Sequence, residues 1–138
     1  MTLTELQSTA QALVTDGKGI LAADETVPTI TKRLGVQHIA STPQNRSAYR
    51  EMLFATPDSD AFISGVIMQD ETIHQSASNG LSMTALLAAH RIIPGIKVDG
   101  GVSDLAGSPG EAVTEGLNGL RERHGYDRSV VVWKSNRR

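Results

Sequence analysis

Four short apolar runs recur along the chain, with segments of helical length between them. These are Gly19–Ala23, Phe62–Met68, a run of Ile96, Lys97, Val98 and Asp99, and Val130–Trp133. The resulting order alternates helix and strand four times, the pattern of an α/β fold whose strands lie parallel. All four runs fall far short of the twenty or so apolar residues of a membrane helix. In parallel α/β folds the carboxyl ends of the strands form the active face. Three of the four runs carry charged groups there: Asp24 and Glu25, Asp70 and Glu71, and Lys97 with Asp99. A closed eight-unit barrel takes about 250 residues, so 138 residues amount to one modest domain with four units.

The intervening segments have uneven helical character. Near the start, Leu3, Leu6, Ala10, Leu13 and Val14 recur at helical spacing, with Thr2 or Thr4 as candidate caps. Residues 32–39 give a weaker helical pattern. Residues 44–55 give a stronger one, with Ala48, Tyr49, Met52 and Leu53 on one side. Leu86, Leu87 and Ala89 supply the apolar side of 82–92, and Ile93-Pro94-Gly95 is read as its break. Residues 110–123 are predicted helical through Val113, Leu117 and Leu120, although Gly116 and Gly119 weaken them.

Composition narrows the chemistry. There is no cysteine, which removes disulfides, thiolate nucleophiles and cysteine-bound zinc. Thirteen basic residues against fifteen acidic ones argue against a polybasic nucleic-acid module. No apolar secretion segment follows the N-terminus, so a cytoplasmic protein without a membrane partner is expected. Charge is unevenly spread: residues 1–120 hold seven basic and thirteen acidic groups, residues 121–138 six and two.

Strand alternation sends Ile96 and Val98 to one face and Lys97 and Asp99 to the other. A lysine there can bind phosphate or carboxylate, or it can form a structural pair with Asp99. Asp24 can orient a hydroxyl, pair with a lysine or move a proton, or serve only as a polar strand end. Adjacent Asp70 and Glu71 point apart in a strand and do not form an acid–base pair by themselves. Arg33 is a phosphate candidate or a solvated helix residue. Gly17-Lys18-Gly19 completes neither a dinucleotide fingerprint nor a phosphate loop. Gly95, Gly100, Gly101, Gly107 and Gly110 are read as turn residues, Tyr49 and Trp133 as core or wall residues. The four histidines show no metal-ligand spacing.

The segment Gly17-Lys18-Gly19-Ile20-Leu21-Ala22-Ala23-Asp24-Glu25 resembles the opening motif of class I fructose-bisphosphate aldolase. Further similarities follow in order: Lys32-Arg33, Asn45-Arg46, Tyr49-Arg50, Gly65-Val66-Ile67, Glu71-Thr72, Gly95-Ile96-Lys97-Val98-Asp99, then Gly110-Glu111, Thr114, Gly116-Leu117 and Gly119-Leu120. The resemblance runs from residue 3 to residue 124. It implies a (β/α)8 TIM barrel, of which this chain supplies about the first half. It also implies a lyase that reversibly cleaves fructose 1,6-bisphosphate into dihydroxyacetone phosphate and glyceraldehyde 3-phosphate through a lysine Schiff base. No metal and no cofactor are implied. Asp24 matches the carboxylate beside that lysine, and Lys97 an active-site lysine that binds the phosphorylated sugar. Arg33 matches a phosphate contact, with Thr26 and Thr29 as further binding candidates.

Two departures qualify this expectation. Thr26-Val27-Pro28-Thr29 stands where the family has a Ser-Thr-Gly-Ser stretch, so Pro28 removes a backbone donor. After Trp133 the spacing puts an expected catalytic lysine at Arg138, and arginine stays protonated. The Schiff-base lysine belongs to a later strand and has no counterpart here. Residues 1–138 therefore read as the N-terminal portion of one barrel domain, with 125–138 divergent, as a frameshift, premature stop or gene fragment would leave it. Little turnover and self-association or aggregation are expected of this chain, and a homo-oligomer of a complete family member. The alternative is a non-catalytic sugar-phosphate-binding or interaction domain.

Overall fold

The computed structural model describes residues 2–116, 118–119 and 131–133, the last three as backbone. In chain order the strands are β1 (Gly19–Ala23), β2 (Ile63–Met68), β3 (Ile93–Lys97), β4 (Gly101–Asp104), β5 (Ala112–Glu115) and β6 (Val131–Trp133). Four of them form one parallel sheet in the order β1-β2-β3-β6, while β4 and β5 pair as a separate antiparallel hairpin. The helices are α1 (Leu3–Leu13), α2 (Val27–Val36), α3 (Pro43–Phe54), α4 (Asp70–Ile73) and α5 (Met83–Ala89), with a 3-10 turn at Ser59–Ala61. An open parallel sheet with crossover helices is about half of a TIM-barrel architecture.

Several boundaries differ from the sequence reading, each for a local reason. α2 starts at Val27 and ends at Val36, not over 32–39. Pro28 occupies its first turn, where an N–H has no intrahelical acceptor to lose. Ile93-Pro94-Gly95 is not a break but the start of β3. Pro94 pairs with Val66 on β2, and the partner register with β6 begins only at Gly95. Asp70 and Glu71 open the one-turn α4, for which Gln69 is the N-cap.

The largest correction lies in 110–123. Residues 112–115 form β5, antiparallel to β4, so the described part of that segment is a hairpin and not a helix. Val113 and Thr114 are β-branched, and Gly107 and Gly110 take positive φ in the connecting loop. Gly116 has φ +111°, and a Cβ there would come within 2.4 Å of the Gly100 nitrogen and 2.5 Å of the Val98 carbonyl oxygen. That close approach needs glycine. Leu117, residues 120–130 and 134–138, and the side chains of 131–133, Trp133 among them, lie outside the described residues.

The core forms where helix faces cover β2. Phe54, Val66, Met68, Met83, Leu86, Leu87 and Ile92 are buried in one cluster with Ala23 and Ala77. Ser82 caps α5 by accepting from the Ala85 amide, which aims Met83, Leu86 and Leu87 inward. In α3 the buried stripe is not the apolar one read from the sequence, since Met52 is 61% exposed while Arg50 is 3% exposed. Arg46, Arg50 and Phe54 recur every fourth residue, on one helix face. Phe54 enters the core and the two arginines reach the strand ends.

Arg46 donates from Nε to Glu71 Oε2 at 2.8 Å, from Nη2 to Glu71 Oε1, and from Nη1 to the Ser41 carbonyl at 2.6 Å. This ties α3 to the residues that follow β2. The hydrogen bonds from Arg46 hold the Glu71 carboxyl below the usual carboxylate range, against the opposing effect of burial. At the other end of the sheet, α1 is fixed by a capping box between Thr2 and Glu5. Of its apolar residues only Leu13 is buried, with Leu3 and Leu6 exposed. Ser64 Oγ donates to the Leu13 carbonyl at 2.7 Å, and the Leu13 side chain fills the space that Gly65 leaves open.

Two stability tests follow from this packing. A Gly65→Ala methyl would lie 2.5 Å from Leu13 Cδ2 and 3.3 Å from the Ile93 carbonyl oxygen. Its expected cost is about 1–3 kcal/mol by urea unfolding, and combination with Leu13→Ala should be less than additive. The Glu71 carboxyl is depressed in the folded state, so its contribution is present above the ordinary carboxylate range and is lost as pH falls through the depressed value. Glu71→Gln should cost about 1–2 kcal/mol at pH 7, with the difference between the two proteins shrinking in acid. An equal difference at neutral and acid pH would show that the pair does not contribute in this way.

Candidate active site

Register alone brings the first two site residues into one row. Ala23 pairs with Met68, and Met68 pairs with Ile96, so Asp24, Gln69 and Lys97 form the next row at the carboxyl ends of the strands. Adjacent strands are about 4.8 Å apart, so β1 and β3 are separated by about 10 Å. A lysine side chain is long enough to cross that width. Lys97 Nζ stands 3.6 Å from Asp24 Oδ2 and 3.7 Å from Asp99 Oδ1. Ile96 and Val98 are buried, as strand alternation requires, while Lys97 and Asp99 face the opposite way.

Asp99 is the more enclosed of the two carboxylates. Its Oδ1 accepts from the Gly101 amide at 3.3 Å, and its Oδ2 is buried without a hydrogen-bond partner among the described residues. These groups line a cleft of about 680 Å³ with Ala22, Thr26, Thr29 and Arg33, and the hairpin contributes Val102 and Thr114 to its wall. The hairpin is fastened beside the cleft by the Gly100 amide, which donates to the Glu115 carbonyl at 2.8 Å. Ser103 Oγ also donates to Glu115 Oε1 at 2.7 Å.

The next layer is built around Glu25. Arg33 Nη1 donates to Glu25 Oε1 and, at 2.9 Å, to the Tyr49 hydroxyl. Its side chain remains 52% exposed at the cleft rim. The Tyr49 hydroxyl, followed by the charge of Glu25, raises the Arg33 pKa above its ordinary value. On the inner side, Arg50 Nη2 lies 2.9 Å from Glu25 Oε2, an ion pair not aligned as a hydrogen bond. Arg50 Nε donates to the Ala23 carbonyl at 2.7 Å and Nη2 to the Glu25 carbonyl at 3.1 Å. Burial pushes the Arg50 pKa down, with Glu25 opposing that shift. Thr26 is the N-cap residue of α2, and its hydroxyl meets that of Thr29 at 3.1 Å.

All five residues singled out from the sequence, Asp24, Lys97, Arg33, Thr26 and Thr29, therefore line one cleft. The sequence reading put Glu25 and Asp99 among the strand-end charges without assigning them a site role, and it did not place Tyr49 or Arg50 in the site. The signal for Arg50 was its fourfold spacing with Arg46 and Phe54. Helical spacing identified a face but not the carbonyls beneath it. Tyr49, read as a core or wall residue, is a partly exposed hydrogen-bond acceptor. Gly95 is a buried strand residue rather than a turn residue. Among the described residues no group of three or more acidic or histidine side chains could hold a metal ion, and no helix is long and apolar enough to cross a membrane.

Comparison with known proteins sets this arrangement in a family. The chain is 53% identical over 123 residues to a probable class 1 fructose-bisphosphate aldolase of Xanthomonas campestris pv. campestris, covering 89% of this chain and 37% of the relative. It is 50% identical over 119 residues to fructose-bisphosphate aldolase 2 of Caenorhabditis elegans, covering 86% of this chain and 32% of that protein. A solved fructose-bisphosphate aldolase from Plasmodium falciparum, in complex with TRAP and a small-molecule inhibitor, superposes with TM-score 0.87 and 44% identity. That match covers 97% of this chain and 39% of the other. The chain thus spans about a third of the length of the curated relatives it matches. The sequence model of the glycolytic family fructose-bisphosphate aldolase class-I matches residues 5–129, which take in the whole cleft, and the chain belongs to that family.

Proposed function

We propose that the cleft is a sugar-phosphate site, and that its residues serve the family reaction, reversible cleavage of fructose 1,6-bisphosphate to dihydroxyacetone phosphate and glyceraldehyde 3-phosphate. The observation that carries this reading is Lys97 Nζ, held within 3.7 Å of two carboxylates in a cleft at the strand ends. Lys97 binds the phosphorylated sugar through its ammonium. Asp24 accepts from a sugar hydroxyl and is placed to move a proton at that oxygen. Arg33, at the rim, contacts a phosphate oxygen with guanidinium donors that Glu25 and Tyr49 do not use. Thr26 and Thr29 offer hydroxyls beside it. The cytoplasm is the setting that the family's glycolytic role implies.

Charge balance limits the expected affinity. Lys97, Arg33 and Arg50 face Asp24, Glu25 and Asp99, so three cations meet three carboxylates. An entering phosphate competes with carboxylates already in place. The residues therefore favour a ligand that also offers hydroxyls to Asp24 over inorganic phosphate alone. In this reading Lys18, Lys32, Lys97 and Lys134 do not replace the family's Schiff-base lysine, and the chain by itself binds without turning over. Self-association is a further part of the proposal, since β1 is paired on only one edge among the described residues.

Calorimetric titration with fructose 1,6-bisphosphate should show binding that Lys97→Met weakens by about tenfold or more, equivalent to about 1.4 kcal/mol. Arg33→Ala should weaken it less, because that side chain is half exposed. Unchanged affinity in Lys97→Met would remove the reading. Borohydride reduction in the presence of the sugar should trap no covalent adduct, and an adduct on any of the four lysines would overturn the assignment of binding without turnover. Sedimentation equilibrium should report species larger than the monomer, and a monomer at all concentrations would overturn self-association through the β1 edge.

A further inference from the structure

Asp24 lies between two residues, Ala23 and Glu25, whose carbonyls are both held by one side chain. Arg50 is buried and donates from Nε to the Ala23 carbonyl at 2.7 Å and from Nη2 to the Glu25 carbonyl at 3.1 Å. Its guanidinium also lies 2.9 Å from Glu25 Oε2 and 5.4 Å from the centre of the Tyr49 ring. The chain leaves the sheet at Ala23, so beyond that residue β1 has no ladder partner to fix the direction of Asp24. We propose that Arg50 is a positioning residue that sets where the Asp24 carboxylate stands against Lys97, by fixing the carbonyls of the residues before and after Asp24.

The geometry separates this role from simple filling of space. A planar guanidinium offers two donors at a fixed spacing, and here they meet acceptors two residues apart on one strand end. A lysine at the same place keeps the charge but presents a single point of donors, so it satisfies one carbonyl and releases the other. The expected result is local: Asp24 loses its alignment with Lys97 3.6 Å away, while the Phe54 core on the same helix stays packed. The consequence for ligand binding rests on the sugar-phosphate reading, but the placement of Asp24 does not, so the test is made without ligand.

The experiment is carbon-detected NMR of the Asp24 carboxylate in the full deuterated chain. Lys97→Met should displace the Asp24 Cγ resonance in the otherwise unaltered protein. In the presence of Arg50→Lys the same substitution should displace it by about half as much or less, the signature of lost coupling in a double-mutant cycle. Backbone shifts caused by Arg50→Lys alone should concentrate at residues 23–26 and spare β2 and β3. Equal displacement in both backgrounds would overturn the proposal, as would shifts spread evenly through the sheet. Should Arg50→Lys fail to fold, the unaltered chain decides the matter. Its Arg50 Nε–H should exchange slowly and show scalar coupling to the Ala23 carbonyl carbon, and fast exchange without that coupling would overturn the assignment. A subsequent titration in which the unaltered chain fails to bind fructose 1,6-bisphosphate would remove the sugar-phosphate reading and leave the NMR result standing.

Discussion

Carbonyl groups at the carboxyl end of a buried parallel strand must find donors, and in this fold a helix supplies them. Where β1 stops, the Ala23 and Glu25 carbonyls are taken up by the buried guanidinium of Arg50. One turn earlier on α3, Arg46 ties down Glu71 just beyond β2. An unpaired buried carbonyl costs about 1–3 kcal/mol, so these contacts govern how the chain can leave the sheet. The same face of α3 then places Phe54 in the main hydrophobic cluster. One helix thus joins the core to the strand ends where the charged residues gather.

The site gains its character from how these charges are shared. Glu25 is held between Arg33 and Arg50 and is largely spoken for, whereas Asp24 and Asp99 both lie near Lys97. The inner arginine side chain is buried and braces the backbone, while the outer one stays half exposed at the rim. Two arginines around one glutamate therefore have different surroundings. Removing either partner of such a pair leaves charge less compensated, and the effect grows with burial. The hairpin adds a wall that depends on the tight approach of Gly116 to Val98 and Gly100.

Much of this was legible in the chain's pattern. Alternating apolar runs gave the parallel sheet, and the face assignment of Ile96, Lys97, Val98 and Asp99 followed from period two. Strand-end charges pointed to the cleft, and the resemblance carried by residues 17–25 and 95–99 gave the family that the comparisons then showed. The stretch 112–115 was taken into a helix because Val113 fits a helical stripe as well as a strand, and only pairing with β4 separates the two. The α3 face was misread because an arginine scores as polar even when its partners are buried carbonyls. Pro94 looked like a break because the local rule has no knowledge of which edge is paired at that position.

Sequence alone determined the order of the four parallel strands, the strand-end position of Asp24 and Lys97, and the family to which the chain belongs. Those features are local, written in period, turn chemistry and motif. Tertiary structure decided which groups meet. It aligned Asp24, Gln69 and Lys97 through two successive strand registers, and it carried Arg50 across 27 residues of chain to the Ala23 carbonyl. It also turned Glu25 toward the arginines and seated the hairpin beside the cleft. The physical reason is that hydrogen bonds and ion pairs between distant segments depend on register and burial, which no window of neighbouring residues contains.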